Sequence, residues 1–251
     1  MKSRQKDIRE SEEREARRVA RITNKRNKRG QTPTLDRPET SVGEFTRLLI
    51  VSEGENTEVS YFNQFQMPNV RVRAVGTGYN TVSLVRRAEQ IRDEEARKCN
   101  EYDQVWCVFD KDDFAAEDFN EAIRLAENLF GAGRVAYSNQ SFEYWLLLHF
   151  LDHQGGAMHR QQYDTRLNEC LAPYSVRYEG RKNKRINPDF FELMLAVDPR
   201  TRRRRIDQAI TRAERVFDEY DHRSPTTEES STTVFRVVKV ILGERGDIEN
   251  W

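Results

Sequence analysis

The chain has 251 residues, of which 33% are charged and 37% hydrophobic, with three cysteines and a formal net charge of zero. This polar composition offers no apolar run of roughly 20 residues, which excludes a membrane-spanning helix, and the highly charged N-terminus excludes a secretory signal. Because the cysteines are odd in number and widely spaced, no disulfide framework is expected. We predict a cytoplasmic protein with one large domain or a domain with a substantial insertion.

Composition divides the chain into three parts. Residues 1–42 contain few apolar side chains and include Pro33 and Pro38, which predicts a charged, partly helical arm followed by a linker. Residues 43–150 alternate strand-like apolar runs with helical patterns and predict an α/β core. Residues 151–251 predict a basic helical insertion followed by C-terminal helices that pack on the core.

Four short apolar runs in the core predict β-strands at Arg47–Ser52, Val70–Val75, Val105–Phe109 and Arg134–Tyr137. Helical patterns follow these runs at about Glu58–Gln66, Val82–Lys98, Ala116–Phe130 and Phe142–Leu151, and two more are predicted at Thr201–Tyr220 and Thr233–Leu242. The order β-α-β-α-β-α-β predicts a parallel sheet of about four strands that is flanked by helices.

Acidic residues follow the most apolar of these strands. Val105–Phe109 runs directly into Asp110, Lys111, Asp112 and Asp113. The carboxyl end of a buried strand is where open α/β sheets bind ligands, and an extended chain would turn Asp110 and Asp112 to the same side. Two carboxylates held so close repel each other unless a cation lies between them, and such ligands suit Mg²⁺ or Mn²⁺. A solvated acidic turn is the alternative.

A second acidic cluster follows the first strand. Glu53 comes at its end, Gly54 allows a tight turn, and Glu58 lies at the start of the next helix. If the two strands are neighbours, these carboxylates and those after Phe109 form a metal cage. Glu143, in the first turn of an otherwise apolar helix, either interacts with the helix N-terminus or contributes to this metal site.

Positive charge is concentrated in Arg17–Arg29, Arg181–Arg185 and Arg202–Arg205. Runs of this kind bind polyanions, and they also occur as solvated surfaces, so both interpretations stay open for each run taken alone. The candidate contacts to nucleic acid in the two later runs are Lys182, Lys184, Arg185, Arg203 and Arg204.

Three motifs carry a resemblance to a known family: SEGENTEVSYF, VWCVFDKDDF and SNQSFEYWLLLHF. A strand ending in Glu53, followed by a strand ending in Asp110-x-Asp112, resembles the Toprim domain of topoisomerases, bacterial primases and nucleases of the overcoming-lysogenization-defect type. The wording of the motifs is most similar to the RloB-like family. The resemblance extends from about Arg47 to Phe150 and weakly to the C-terminal helix.

The resemblance implies a Toprim-like α/β fold with Mg²⁺ (or Mn²⁺) at Glu53, Asp110 and Asp112, and with Glu58 near a second ion. Asp113 and Glu143 are further candidate ligands. Lys111 would neutralise charge on the phosphate, or else act as a salt-bridge partner of the aspartates. The family occurs in antiphage defence loci, often beside an ATPase, which implies nucleic acid and an ATPase as partners.

These observations support a divalent-metal-dependent endonuclease that cleaves DNA or RNA, with Glu53, Asp110, Asp112 and Lys111 as catalytic residues. One alternative is a non-catalytic subunit that binds nucleic acid or the ATPase, and another is a primase-like nucleotidyl transferase. The acidic set favours catalysis, because a pure binding module has no need of clustered carboxylates that repel phosphate.

Overall fold

The structure, a computed structural model, describes residues 45–111, 116–153, 158–180 and 183–244. The described residues from 45 onward belong to one compact unit. The predicted arm of residues 1–42, the predicted metal ligands Asp112 and Asp113, and the predicted nucleic-acid contact Lys182 lie outside the described residues.

A four-stranded parallel sheet forms the centre of the fold, with the strand order β2-β1-β3-β4. The strands are β1 (Thr46–Ser52), β2 (Val70–Gly76), β3 (Gln104–Asp110) and β4 (Val135–Ser138). Each predicted strand is present within one residue of its predicted ends, and β1 pairs with β3, which meets the condition that the sequence analysis set for a metal cage. The α/β prediction is therefore confirmed, and the sheet is consistent with a Toprim-like fold.

Eight α-helices are described in the same ranges. They are α1 (Thr57–Phe62), α2 (Thr81–Ala96), α3 (Ala116–Phe130), α4 (Glu143–Leu148), α5 (Arg160–Leu171), α6 (Pro188–Leu195), α7 (Arg205–Phe217) and α8 (Val234–Leu242). None of the helices in the described ranges has the length and apolarity to span a bilayer. All three cysteines are free thiols, which agrees with the expectation of no disulfide framework.

Several helices are shorter than their sequence patterns predict, because side chains and turns end them. After α1, the side chain of Asn63 accepts a hydrogen bond from the Ala74 amide at 2.9 Å and donates one to the Ala74 carbonyl at 3.0 Å, which directs the chain toward β2.

The predicted start of α7 at Thr201 is wrong. Arg202 has a left-handed backbone (φ 58), and Val197 pairs with Arg204 in an isolated bridge, so these residues form a turn.

The side chains of the central strands alternate between two apolar layers. Leu48 and Ile50 of β1 pack in the layer that contains α1 and α4–α8, whereas Leu49 and Val51 pack against α2 and α3. Both faces of β1 and β3 are therefore covered, which explains why these strands read as nearly continuous apolar runs. Helix α4 is fully buried from Tyr144 to Leu148 and fixes its first residue, Glu143, at the sheet.

The residues before α8 cover the outer edge of β4, where Thr232 pairs with Ser138 in an antiparallel bridge. The Thr233 amide donates to the Tyr137 carbonyl at 2.8 Å, and the Tyr137 amide donates to Thr233 Oγ1 at 2.9 Å. Thr233 Oγ1 in turn donates to the Val135 carbonyl at 3.2 Å. These bonds take the place of a fifth strand, and they hold α8 on the sheet as the sequence predicted.

Replacing Thr233 by Val removes its hydroxyl group at nearly constant volume and leaves the buried Tyr137 amide without its acceptor. We expect the free energy of unfolding to fall by about 1–3 kcal/mol, the range for an unsatisfied buried donor. Thr227→Val is the control, because Thr227 is exposed and its hydroxyl bonds only a neighbouring turn carbonyl, Ser224 O, at 2.9 Å. Urea denaturation measures both; an equal change in the two variants would contradict the role of Thr233.

Candidate active site

The pairing of β1 with β3 brings two predicted site residues to one edge of the sheet. Glu53 directly follows β1, and its amide donates to the Val108 carbonyl of β3 at 3.1 Å. Asp110 is the last residue of β3, and the next amide, of Lys111, donates to the Ser138 carbonyl of β4 at 2.9 Å. Both carboxylates therefore lie at the carboxyl ends of adjacent parallel strands.

A cleft of about 140 Å³ opens at this edge. Its lining residues are Glu53, Gly54, Glu55, Asn56, Thr57, Glu58, Asp110, Phe142, Glu143 and Lys184. The structure therefore brings together Glu53, Glu58, Asp110 and Glu143, all of which the sequence analysis named as candidate metal ligands. We call these residues the carboxylate cluster.

Two glycines allow the Glu53–Glu58 loop to fold over the end of the sheet. A Cβ atom at Gly54 would collide with the Glu58 carboxylate, so the absence of a side chain lets that carboxylate turn back into the cleft. A Cβ atom at Gly76 would lie 2.7 Å from the Gly54 carbonyl oxygen, in contact with the loop backbone. Ser52 Oγ also donates to the Gly54 carbonyl at 2.8 Å and fixes the turn.

The start of α4 lines the cleft together with the ends of β1 and β3 and the start of α1. The Phe142 amide donates to Asp110 Oδ2 at 3.1 Å, which orients the aspartate carboxylate. Glu143 follows Phe142 as the first residue of α4. The sequence left two interpretations open for Glu143, and the structure places it with the other carboxylates.

Burial and like charge raise the pKa values of two members of the carboxylate cluster. Burial raises the pKa of Glu58 from 4.5 to about 7; the charges of Glu143 and Glu53 add to this rise, and the Glu58 amide and Lys184 oppose it. Burial also raises the pKa of Asp110 well above its ordinary value, with further increases from Glu58 and Glu143. Negative charge in the cleft thus exceeds the positive charge that faces it.

The donor chemistry of the cleft fits a hard divalent cation. Carboxylate oxygens are the preferred ligands of Mg²⁺ and Mn²⁺, and a cation would offset both the burial and the repulsion that raise these pKa values. With the side chains in their present positions, the described residues contain no group of three or more His, Cys, Asp or Glu side chains close enough together to hold a metal ion. The predicted ligands Asp112 and Asp113, next in sequence to this site, are not among those residues.

Lys184, which the sequence analysis named only as a nucleic-acid contact, lines the cleft. Its backbone adopts a left-handed conformation (φ 48), which is uncommon for a lysine and occurs mainly where the surroundings enforce it. Its carbonyl accepts a hydrogen bond from Thr57 Oγ1 at 2.8 Å, and the amide of Ile186 donates to Ser60 Oγ at 2.9 Å. These bonds fix the segment from Lys184 to Ile186 on α1.

The other predicted basic residues differ in their relation to the cleft. Arg185 is exposed, and its Nε donates to Oδ1 of the cleft residue Asn56 at 3.3 Å. Lys111, the predicted catalytic lysine, is not one of the lining residues, and neither are Arg203 and Arg204. Arg204 makes a bidentate ion pair with Asp207 in the first turn of α7, with N–O distances of 2.9 and 2.6 Å.

Tyr178 is a site residue that sequence reasoning missed. Its hydroxyl donates to Glu143 Oε1 at 2.8 Å and lies 3.1 Å from Thr57 Oγ1. These partners are 35 and 121 residues away in sequence, so no local pattern could have indicated the contact. The basic run Arg181–Arg185 did indicate Lys184 as a candidate nucleic-acid contact, although not its position in the cleft.

The raised pKa of Glu58 predicts how stability depends on pH when no metal is bound. Between 4.5 and about 7 the folded state binds more protons at Glu58 than the unfolded state does, so the free energy of unfolding falls as pH rises. We expect a loss on the order of 3 kcal/mol from a shift of this size. Denaturation in EDTA across this pH range measures it.

Glu58→Gln removes one titrating group and should reduce this pH dependence to the part that Asp110 contributes, whereas Glu121→Gln, on the exposed surface of α3, should leave it unchanged. Wild-type stability that rises with pH across the window would contradict the assignment, and so would an undiminished slope in Glu58→Gln.

Comparison with known proteins identifies the family. A family model described as RloB-like protein matches residues 48–241, a span that contains every residue lining the cleft. No curated protein and no solved structure matches the chain. The family match covers well over half of the 251 residues and agrees with the resemblance of the three sequence motifs. The chain belongs to the RloB-like family.

Proposed function

We propose that this protein is a divalent-metal-dependent nuclease that hydrolyses phosphodiester bonds in DNA or RNA. The observation that carries the proposal is the carboxylate cluster, which gathers carboxylates from the ends of β1 and β3 and the starts of α1 and α4 in one cleft. Burying like charges costs stability, and clefts with strongly perturbed pKa values are typical of functional sites.

Glu53, Glu58, Asp110 and Glu143 would hold Mg²⁺ or Mn²⁺, together with the predicted ligands Asp112 and Asp113. When bound, such an ion would supply Lewis-acid stabilisation of phosphate charge and a more acidic water. The chain fixes the donors in advance, because the Phe142 amide orients Asp110 and the absence of a Gly54 side chain leaves room for Glu58. This arrangement reduces the reorganisation needed when substrate binds.

The positive charge for the substrate would come from the segment that lies on α1. Lys184 lines the cleft and provides a compact charge suited to a phosphate oxygen. Arg185, oriented by Asn56, would contact a neighbouring phosphate. The carboxylates and this segment thus divide the work: the first bind cations, and the second binds the polyanion.

Family membership and the motif resemblance support a wider setting for this activity. In this proposal the protein is a Toprim-type nuclease that acts in the cytoplasm in antiphage defence, beside an ATPase partner. The α/β sheet with acidic residues at its carboxyl edge is consistent with that relationship.

Removing one carboxylate tests the activity. Asp110→Asn and Glu53→Gln should each reduce cleavage on the order of 100-fold or more, because each removes a proposed ligand of the metal ion that stabilises the phosphate charge. The assay uses labelled DNA and transfer-RNA substrates with Mg²⁺, Mn²⁺ or EDTA. Asp218→Asn, at an exposed position at the end of α7, is the matched control and should retain full cleavage.

A stability measurement separates loss of chemistry from loss of fold. Because the Asp110 pKa is raised, an amide at this position should make the metal-free protein at pH 8 at least as stable as wild type. Cleavage that persists in EDTA or in Asp110→Asn would refute the proposal. Nucleic-acid binding without cleavage under any metal, also with the ATPase added, would favour the non-catalytic subunit instead.

A pair of lysine variants tests which cation serves the substrate. Lys184→Met should lower cleavage about tenfold or more, because the phosphate loses a fixed positive charge, whereas Lys111→Met should have a smaller effect. Steady-state cleavage rates at several substrate concentrations measure both. A larger loss in Lys111→Met would assign the role to Lys111, as the sequence analysis predicted.

A further inference from the structure

The buried hydroxyl groups of Tyr178 and Thr57 link Glu143 to the segment that follows α5, which contains Tyr178 and Lys184. The Tyr178 hydroxyl donates to Glu143 Oε1 at 2.8 Å, and it lies 3.1 Å from Thr57 Oγ1. Thr57 Oγ1 donates to the Lys184 carbonyl at 2.8 Å. Each hydroxyl group has one proton to donate, so Tyr178 donates to Glu143 Oε1 and Thr57 donates to the Lys184 carbonyl.

Tyr178 is itself held firmly by α5. Its amide donates to Asn168 Oδ1 at 2.9 Å, and Asn168 Nδ2 donates to the Tyr178 carbonyl at 3.0 Å. The same Nδ2 donates to the Asp164 carbonyl within α5 at 2.8 Å, which fixes the amide group of Asn168. Tyr178 is only 2% exposed, so its ring has little freedom to move. The hydroxyl group is therefore a rigid donor.

The hydrogen bond from Tyr178 orients the Glu143 carboxylate. Oε1 accepts the hydrogen bond from the rigid Tyr178 hydroxyl, so the carboxylate that Glu143 contributes to the cleft is held in one orientation. A glutamate without such a partner loses more side-chain entropy when a cation fixes it. Hydrogen bonds that orient the ligands of a metal typically change its affinity by about 10- to 100-fold.

We propose that Tyr178 is a positioning residue that orients Glu143 and thereby sets the affinity of the carboxylate cluster for a divalent cation. The inference rests on the proposed function and deepens it. The strands alone do not complete the site, because α5 and the following segment orient one carboxylate of the cleft. The same segment carries Lys184, so one structural unit controls both the cation donors and the substrate charge.

The proposal is tested by titrating the full chain with Mn²⁺. Electron paramagnetic resonance measures binding as the loss of the free-ion signal. Tyr178→Phe keeps the ring and removes only the donor, and it should weaken Mn²⁺ binding about 10- to 100-fold. Tyr144→Phe is the control, because it is a buried tyrosine one residue from Glu143 and should bind Mn²⁺ as wild type does. Thermal unfolding in EDTA checks that both variants fold.

A double variant distinguishes positioning from a general structural effect. If Tyr178 acts through Glu143, Tyr178→Phe combined with Glu143→Gln should bind Mn²⁺ no more weakly than Glu143→Gln alone. Additive losses, or unchanged binding by Tyr178→Phe, would overturn the role of Tyr178 and leave the proposed function standing. A wild-type protein that binds no Mn²⁺ would overturn the proposed metal site and, with it, this inference.

Discussion

The parallel pairing of β1 with β3 is the interaction on which the candidate site depends. It aligns Ser52 with Val108, and the hydrogen bond from the Glu53 amide to the Val108 carbonyl extends the pairing one step beyond the strand. Glu53 and Asp110 are brought side by side in this way although 56 residues separate them in the chain. Apolar burial on both faces of these strands drives the pairing, and the crowding of carboxylates at their ends is its consequence.

The crowding of carboxylates in the cleft lowers the free energy of unfolding. The raised pKa values of Glu58 and Asp110 mean that the metal-free protein gives up folding free energy to keep these groups together. The surrounding structure compensates elsewhere, through a fully buried α4 and the bonds that hold α8 on β4. Native proteins commonly accept such local costs at functional sites, because a site relaxed in the absence of its ligand would bind that ligand less well.

The strands and the four carboxylates could be predicted from the sequence because their signals are local. An apolar run followed by Asp110, or by Glu53 and Gly54, is visible within ten residues, and a parallel sheet then requires the strand ends to meet. Tyr178 and the cleft position of Lys184 could not be predicted, because they depend on how the insertion packs on α1 and α4. The predicted start of α7 is wrong because the arginine run is compatible with a helix, whereas the isolated bridge from Val197 to Arg204 selects a turn.

The two edges of the sheet differ in a way that bears on self-association. Residues 232 and 233 occupy the hydrogen-bonding positions beside β4, whereas at β2 the Asn63 side chain bonds the amide and the carbonyl of Ala74 and leaves only part of the edge to a further strand. Arg71 and Arg73 are exposed along β2. When two copies approach edge to edge, these guanidinium groups would repel each other, and exposed charge of this kind commonly prevents strands from pairing between molecules. Both edges of the sheet therefore have little tendency to pair with a strand of another molecule.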